Sequence, residues 1–210
     1  MIYKIVYGKA DAESFAVLGK YANKIPTAKP EEFESLFKDL YAQLEVHDGQ
    51  EFFVLKRQYH SDGYFFGFGD KVGPIDRNGR RYTFWNTDNF THHPSADPLY
   101  KSFPFYIYVS KDLNTKYGCF TDYPGYLEID LNLNNDNTLT FKSKGKGFAQ
   151  YIIVEDSIKQ ILKQYLKLTG SNIAFPIWAF GYQQSRWSYF NENEVLDIAK
   201  KFREKKIPCD

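Results

Sequence analysis

From Glu51 to Val154 the chain is a succession of short, aromatic-rich segments, each closed by Asn, Asp, Gly or Pro. No other feature limits the fold as strongly. Glu51 to Gln58, Tyr64 to Phe68, Arg80 to Trp85, Phe103 to Ser110, Tyr117 to Thr121, Tyr126 to Leu133, Thr138 to Ser143 and Gly147 to Val154 read as strands. Rings and β-branched side chains fit a half-buried pleated surface, and turn-forming residues mark where each run must stop. Many short strands at this spacing predict an antiparallel β-sandwich, so the chain is mainly β with a few helices. Residues 2 to 7 alternate well enough to add a first strand. The polar stretch between Leu131 and Leu139 predicts a hairpin tip. Aromatic residues make up 19% of the chain, with 17 Tyr and 19 Phe. Most of them are explained by a packed Phe/Tyr core, and the same rings suit stacking on sugar faces.

Four stretches carry a helical period instead. Asp11 to Tyr21 supports a short helix weakly. After Pro30, the positions Phe33, Leu36, Phe37, Leu40, Tyr41 and Leu44 recur at i, i+3, i+4, i+7, i+8 and i+11, which predicts an amphipathic helix. Pro30 and two glutamates suit its N-terminus. Past the strands, Asp156 can cap a helix bearing Ile158, Ile161, Leu162, Tyr165 and Leu168, stopped at Gly170. Phe175 to Gln183 then reads as a buried strand. Asn191 caps a last helix with Glu194 at the reciprocal capping-box position, its apolar face formed by Val195, Leu196, Ile198, Ala199 and Phe202. Strand followed by helix is the opening of a βα array. The expected division is 1–170 for the sandwich and 171–210 for the start of a barrel. A complete (β/α)8 barrel takes roughly 250 residues, so the chain is expected to end inside it.

The net charge of +1 and the absence of a basic run argue against nucleic acid or anionic lipid as a partner. The N-terminal residues lack the apolar core of a signal peptide, and no apolar run is long enough to span a bilayer. Cys119 and Cys209 stand far apart with no metal spacing, which fits reduced, buried thiols of a cytoplasmic protein. The pair His92-His93 lacks further ligands at a useful spacing, so no metal is expected.

One stretch carries most of the functional signal. Gly67-Phe-Gly-Asp-Lys-Val-Gly-Pro-Ile-Asp-Arg-Asn-Gly-Arg-Arg-Tyr-Thr-Phe-Trp-Asn-Thr-Asp88 turns repeatedly, passes through an aromatic strand and ends on an acid. Its glycines do not have dinucleotide or P-loop spacing and are followed by no helix. A loop of fixed shape on a rigid scaffold is where binding residues gather. The other acids of the β-rich part (Asp70, Asp76, Asp97, Asp122, Glu128, Asp130) read as solvated turn acids. Glycoside hydrolysis needs two carboxylates roughly 5 to 9.5 Å apart, and no spacing here argues for such a pair. No Gly-x-Ser-x-Gly elbow is present, and Ser185 has no evident base.

The same stretch resembles the N-terminal signature of glycoside hydrolase family 31, the α-glucosidases. Asp97-Pro-Leu-Tyr-Lys-Ser-Phe-Pro-Phe and Tyr117-Gly-Cys-Phe-Thr-Asp are similar to the next blocks of that family. Phe175-Pro-Ile-Trp-Ala-Phe-Gly-Tyr-Gln-Gln-Ser-Arg-Trp-Ser-Tyr resembles its first barrel strand, and Asn193 through Asp210 resembles the helix that follows. The resemblance spans roughly Tyr64 to Asp210; residues 1 to 60 share little of it. It implies a galactose-mutarotase-like sandwich leading into a (β/α)8 barrel. It also implies retaining release of terminal α-linked sugar from an α-glucoside or oligosaccharide, without metal or organic cofactor. By the same resemblance Asp88 and Trp187 contact substrate, and Arg186 supports the strand end. The family's nucleophile and acid/base motifs are not in these residues. The resemblance therefore predicts no catalytic residue here, and no turnover by the 210 residues alone. An exposed barrel opening would also favour self-association. The rival expectation is a non-catalytic carbohydrate-binding or interaction sandwich.

Overall fold

The computed structural model describes residues 1–10, 16–60, 62–91, 93–185 and 187–210. It divides into two compact units, Met1–Gly170 and Ser171–Asp210.

The first unit holds ten strands in two antiparallel five-stranded sheets. The strands are β1 (Ile2–Gly8), β2 (Phe37–His47), β3 (Gln50–Tyr59), β4 (Gly63–Gly69), β5 (Arg80–Phe84), β6 (Ser102–Ser110), β7 (Lys116–Asp122), β8 (Leu127–Leu131), β9 (Thr138–Ser143) and β10 (Gly147–Val154). One sheet has the order β1-β10-β7-β6-β4 and the other β2-β3-β9-β8-β5. The strands expected from Glu51 to Val154 all form close to their expected limits, because each is bounded by residues that break a ladder. Leu131 pairs with Leu139, so the polar tip closes a β8–β9 hairpin as expected.

The inner faces meet in a core dense in rings. Phe37, Phe53, Phe65, Phe68, Tyr106, Tyr117, Phe141 and Phe148 are all buried within it. Phe53 and Phe148 meet edge to face with centroids 5.5 Å apart, and Phe65 lies 5.3 Å from Tyr59, the offset geometries that ring quadrupoles favour. Helix α1 (Gly19–Ala22) is a single turn; the earlier part of its expected span, residues 11–15, lies outside the described residues. Helix α2 (Ile158–Thr169) packs on the outer face of the first sheet. Phe105, Ile107, Val109, Phe120, Tyr151 and Ile153 meet its Ile161 and Leu168 there. Phe105 and Tyr165 stack with centroids 3.9 Å apart. Burial on both faces explains why β6 reads as a nearly unbroken apolar run. Ser157, one residue after the expected Asp156, is the N-cap and accepts from the Gln160 N–H at 3.3 Å.

The helix expected after Pro30 does not form. Pro30–Phe33 makes one 3-10 turn, and Phe37–His47 is β2. The deciding feature is Asp48-Gly49. Both residues have positive φ (50° and 75°), and His47 pairs with Gln50 across them. A two-residue turn of this kind matches strand twist and forces the preceding segment into the hairpin. A register shift between Asp39 and Tyr41 places a bulge near Leu40. The hairpin carries Asp39 to Arg57, which is fully buried. Arg57 Nε donates to Asp39 Oδ1 at 2.6 Å and its Nη2 to the Tyr7 hydroxyl at 2.8 Å; Tyr7 in turn donates to Asp39 Oδ2 at 2.5 Å. The Phe37 ring lies 3.7 Å from the guanidinium carbon. Burial works against the guanidinium charge, but the attraction of Tyr7 and Asp39 outweighs it and raises the Arg57 pKa.

In the second unit, helix α3 (Glu192–Glu204) forms with Asn191 as its cap, accepting from Glu194 N–H at 3.0 Å. The Glu194 carboxylate accepts from Phe190 N–H and the Ser188 hydroxyl, both at 2.9 Å. The segment expected as a buried strand differs. Ile177–Phe180 is a 3-10 turn, and Phe175, Ile177 and Phe180 are exposed. A strand needs a neighbouring strand to satisfy its backbone, and the described residues of this unit supply none. Cys119 is buried as expected, whereas Cys209 is only partly so.

Candidate functional site

The loop after β4 is fixed by its own charged side chains. Arg77 donates to the carbonyls of Lys71 at 2.9 Å, Pro74 at 3.0 Å, Gly67 at 3.2 Å and Val72 at 3.3 Å. The Asp76 carboxylate accepts from Phe65 N–H at 3.0 Å and Asn78 N–H at 3.1 Å. Bonds of this charge-assisted kind hold a turn-rich segment to one shape. Lys71, itself buried, donates from Nζ to Asp97 Oδ1 at 2.6 Å and to the Thr83 carbonyl. Asp97 Oδ2 accepts from Thr83 N–H at 2.6 Å. Asp76 and Asp97, expected as solvated turn acids, are therefore structural anchors, and Asp122 is buried as well. Asp70 keeps the expected exposed character in a pair with Lys101 at 2.8 Å. The reason is position: Asp76 and Asp97 face open backbone N–H groups of β4 and β5, and Asp70 does not.

Beyond β5 the chain is clipped to the segment before β6. Asn86 Oδ1 accepts from Ser102 N–H at 2.9 Å and its hydroxyl at 2.8 Å, and Thr87 N–H reaches the Leu99 carbonyl at 3.3 Å. Asp88 follows at the surface, where the Tyr100 hydroxyl donates to its Oδ1. That bond to Asp88 is the main cause of the raised Tyr100 pKa. Trp85, Phe90, Tyr100 and Phe103 are exposed around this end of the sandwich. A hollow of about 330 Å³ lies there, lined by Trp85, Asn86, Phe103, Pro104 and Tyr123 among others. Asp88 does not itself line that hollow; the arrangement offers a solvent-facing carboxylate oriented by the Tyr100 hydroxyl. Such a group can accept hydrogen bonds from hydroxyls of a ligand. Tyr100 and Asn86 were not singled out by sequence reasoning; no periodicity or motif spacing marks the pairing of residues 88 and 100.

Trp187 belongs to the second unit and is fully exposed. The turn around it is tied by Tyr182 donating to Gln184 at 2.8 Å and Gln184 donating to the Tyr189 hydroxyl at 3.2 Å. Arg186 and His92 lie outside the described residues. Among the described residues no group of three or more His, Cys, Asp or Glu is placed to hold a metal.

An antiparallel two-sheet sandwich is the fold expected of a galactose mutarotase-like domain. Residues 17–130 match the family model described as the glycosyl hydrolase 31 N-terminal galactose mutarotase-like domain. Residues 172–210 match the glycosyl hydrolases family 31 TIM-barrel domain. The chain belongs to glycosyl hydrolase family 31. It is 39% identical over 148 residues to alpha-glucosidase 2 of Bacillus thermoamyloliquefaciens, covering 70% of this chain and 18% of that protein. It is 37% identical over 94 residues to an alpha-xylosidase of Saccharolobus solfataricus, covering 45% of this chain and 13% of that protein. Among solved structures, a Flavobacterium johnsoniae dextranase of this family, complexed with isomaltotriose, superposes with a TM-score of 0.65 at 33% identity. That superposition covers 83% of this chain and 21% of the dextranase. The chain thus spans about a fifth of the length of the first relatives it matches.

Proposed function

We propose that this chain forms the N-terminal part of a retaining α-glucosidase acting on terminal α-linked sugar, in which Asp88 and Trp187 are each substrate-binding residues. The observation that carries the reading is the Asp88 carboxylate, held by Tyr100 at the end of a loop that Arg77, Asp76 and Asp97 brace. A group so placed is pre-organised to receive a sugar hydroxyl without first ordering itself. The similarity to an α-glucosidase and a dextranase supports an α-glucoside as the substrate class. Trp187, exposed on a tied turn, suits stacking on a pyranose face. In this reading the sandwich domain is 1–170 and the barrel begins at 171, which the onset of the second family match at residue 172 supports. Bond cleavage falls to carboxylates outside these residues, so the 210 residues alone turn nothing over. The enzyme works in the cytoplasm, as reduced cysteines suit.

The test is Asp88→Ala in the enzyme that carries this chain. Loss of a placed polar partner costs about 1–3 kcal/mol, so kcat/KM for a chromogenic α-glucoside falls by about 5- to 150-fold. Unchanged kinetics would overturn the assignment.

A further inference from the structure

The outer face of the second sheet carries a site of its own. The first sheet's outer face is occupied by α2, but on the second sheet polar side chains from β2, β5, β8 and β9 surround a shallow hollow of about 400 Å³. That is within the size range of small-molecule clefts, roughly 300–1,000 Å³. Pairing sets which groups meet: Arg81 stands opposite Asp130, and Glu128 opposite Lys142. Tyr41, exposed on β2, flanks them, with Glu45 two places further on the same face of β2.

The chemistry of the lining selects a ligand class. Arg81 and Lys142 are donors, whereas Glu45, Glu128 and Asp130 are acceptors, and they alternate across the strands. Two cations against three carboxylates leave one net negative charge, which disfavours a phosphate, and among the described residues no group of three or more His, Cys, Asp or Glu is placed to hold a metal. A polyol suits it, because each hydroxyl both donates and accepts. Arg81 Nη2 and Asp130 Oδ2 are 3.5 Å apart, longer than a direct hydrogen bond, so a hydroxyl can be bound by both. Glu128 is held in place by the Tyr126 hydroxyl at 2.5 Å, and Lys142 by lying over the Phe52 ring at 4.0 Å. The exposed Tyr41 ring supplies an apolar plate for the C–H face of a pyranose.

We infer that this sheet face binds a neutral oligosaccharide, with Tyr41 as the stacking platform and Glu128, Arg81 and Asp130 as hydroxyl partners; the choice of an α-linked sugar rests on the α-glucoside reading above. The site shares no lining residue with the Asp88 rim and does not rest on the role proposed for Asp88.

Titration of the 210-residue protein with isomaltose and with maltose, followed by calorimetry, tests it. The expected result is saturable binding that weakens by about tenfold, or 1.4 kcal/mol, in Tyr41→Ala and in Glu128→Gln. Lys111→Ala, at an exposed position that lines neither hollow, leaves it unchanged. Tyr41 is exposed and Glu128 half-buried, and thermal melts verify that each variant folds. No binding by the parent protein overturns the inference. So does binding that survives both sheet variants, or binding that only Asp88→Ala abolishes; the last outcome assigns the sugar to the rim instead. Calcium or inorganic phosphate binding that Glu128→Gln abolishes would also overturn it, by marking an ionic site.

Discussion

Asp39→Ala tests the most consequential contact inside the sandwich. The substitution removes the carboxylate that accepts two bonds from Arg57 and one from Tyr7. What remains is a guanidinium with no solvent exposure, facing a neutral phenol and the Phe37 ring. Desolvating a charge is costly, and a buried cation that loses its partner typically destabilises a protein by about 3–5 kcal/mol. For a domain of this size each kcal/mol moves the melting temperature by about 2–4 °C, so calorimetry should register a fall of about 6–20 °C. Asp62→Ala serves as the internal comparison. Its pair with Lys111 is 3.0 Å long but exposed on both sides, and such pairs contribute about 0–1 kcal/mol. The double change Asp39→Leu with Arg57→Met removes both charges and recovers much of the loss, since no unpaired ion is left. If Asp39→Ala costs no more than Asp62→Ala, burial does not set the value of this pair and the reasoning fails.

Two further outcomes follow from the packing of α2. A Cβ at Gly118 would lie 2.7 Å from Ile161 Cγ2 and 3.1 Å from the Phe105 ring, so Gly118→Ala should destabilise by about 1–3 kcal/mol in urea unfolding. Ile161→Ala removes the Cγ2 methyl, so the double variant should cost less than the sum of the two single changes; a purely additive double variant contradicts the contact. Burial pushes the Tyr165 hydroxyl up to about 12, against about 10 when unfolded. Its stabilising contribution is fully present below pH ~10 and is lost as pH rises toward ~12. Absorbance at 295 nm, wild type minus Tyr165→Phe, should place the transition in that window; a midpoint near 10 contradicts it.

Much of the fold was legible because its signals are local. Turn residues cut the chain at nearly the right places from Gln50 to Val154, and caps such as Asn191 name their helix directly. The segment after Pro30 shows the limit of periodicity. Its apolar residues match a helix as well as a strand with a bulge, and Phe33 and Phe37 are core residues either way. Asp48-Gly49, a turn signal, outweighs six apolar positions because a closed hairpin gives β2 its backbone partners. Arg57 was not singled out by the sequence, although alternation with Phe53, Leu55 and Tyr59 was a signal that could have placed it on the inward face.

The amino-acid sequence by itself determined the two-sheet sandwich, the loop from Gly67 to Asp88 and the family to which the chain belongs. Only tertiary structure decided which acids are structural and which face solvent. The sequence offers many aspartates in similar turns, and nothing local distinguishes Asp97 from Asp88. Asp97 becomes an anchor because folding sets the buried Lys71 ammonium and the Thr83 N–H within 2.6 Å of it. Asp88 becomes a candidate contact because folding leaves it exposed beside Tyr100. Partner choice between residues far apart in the chain is set by sheet register and burial, and those exist only once the strands have paired.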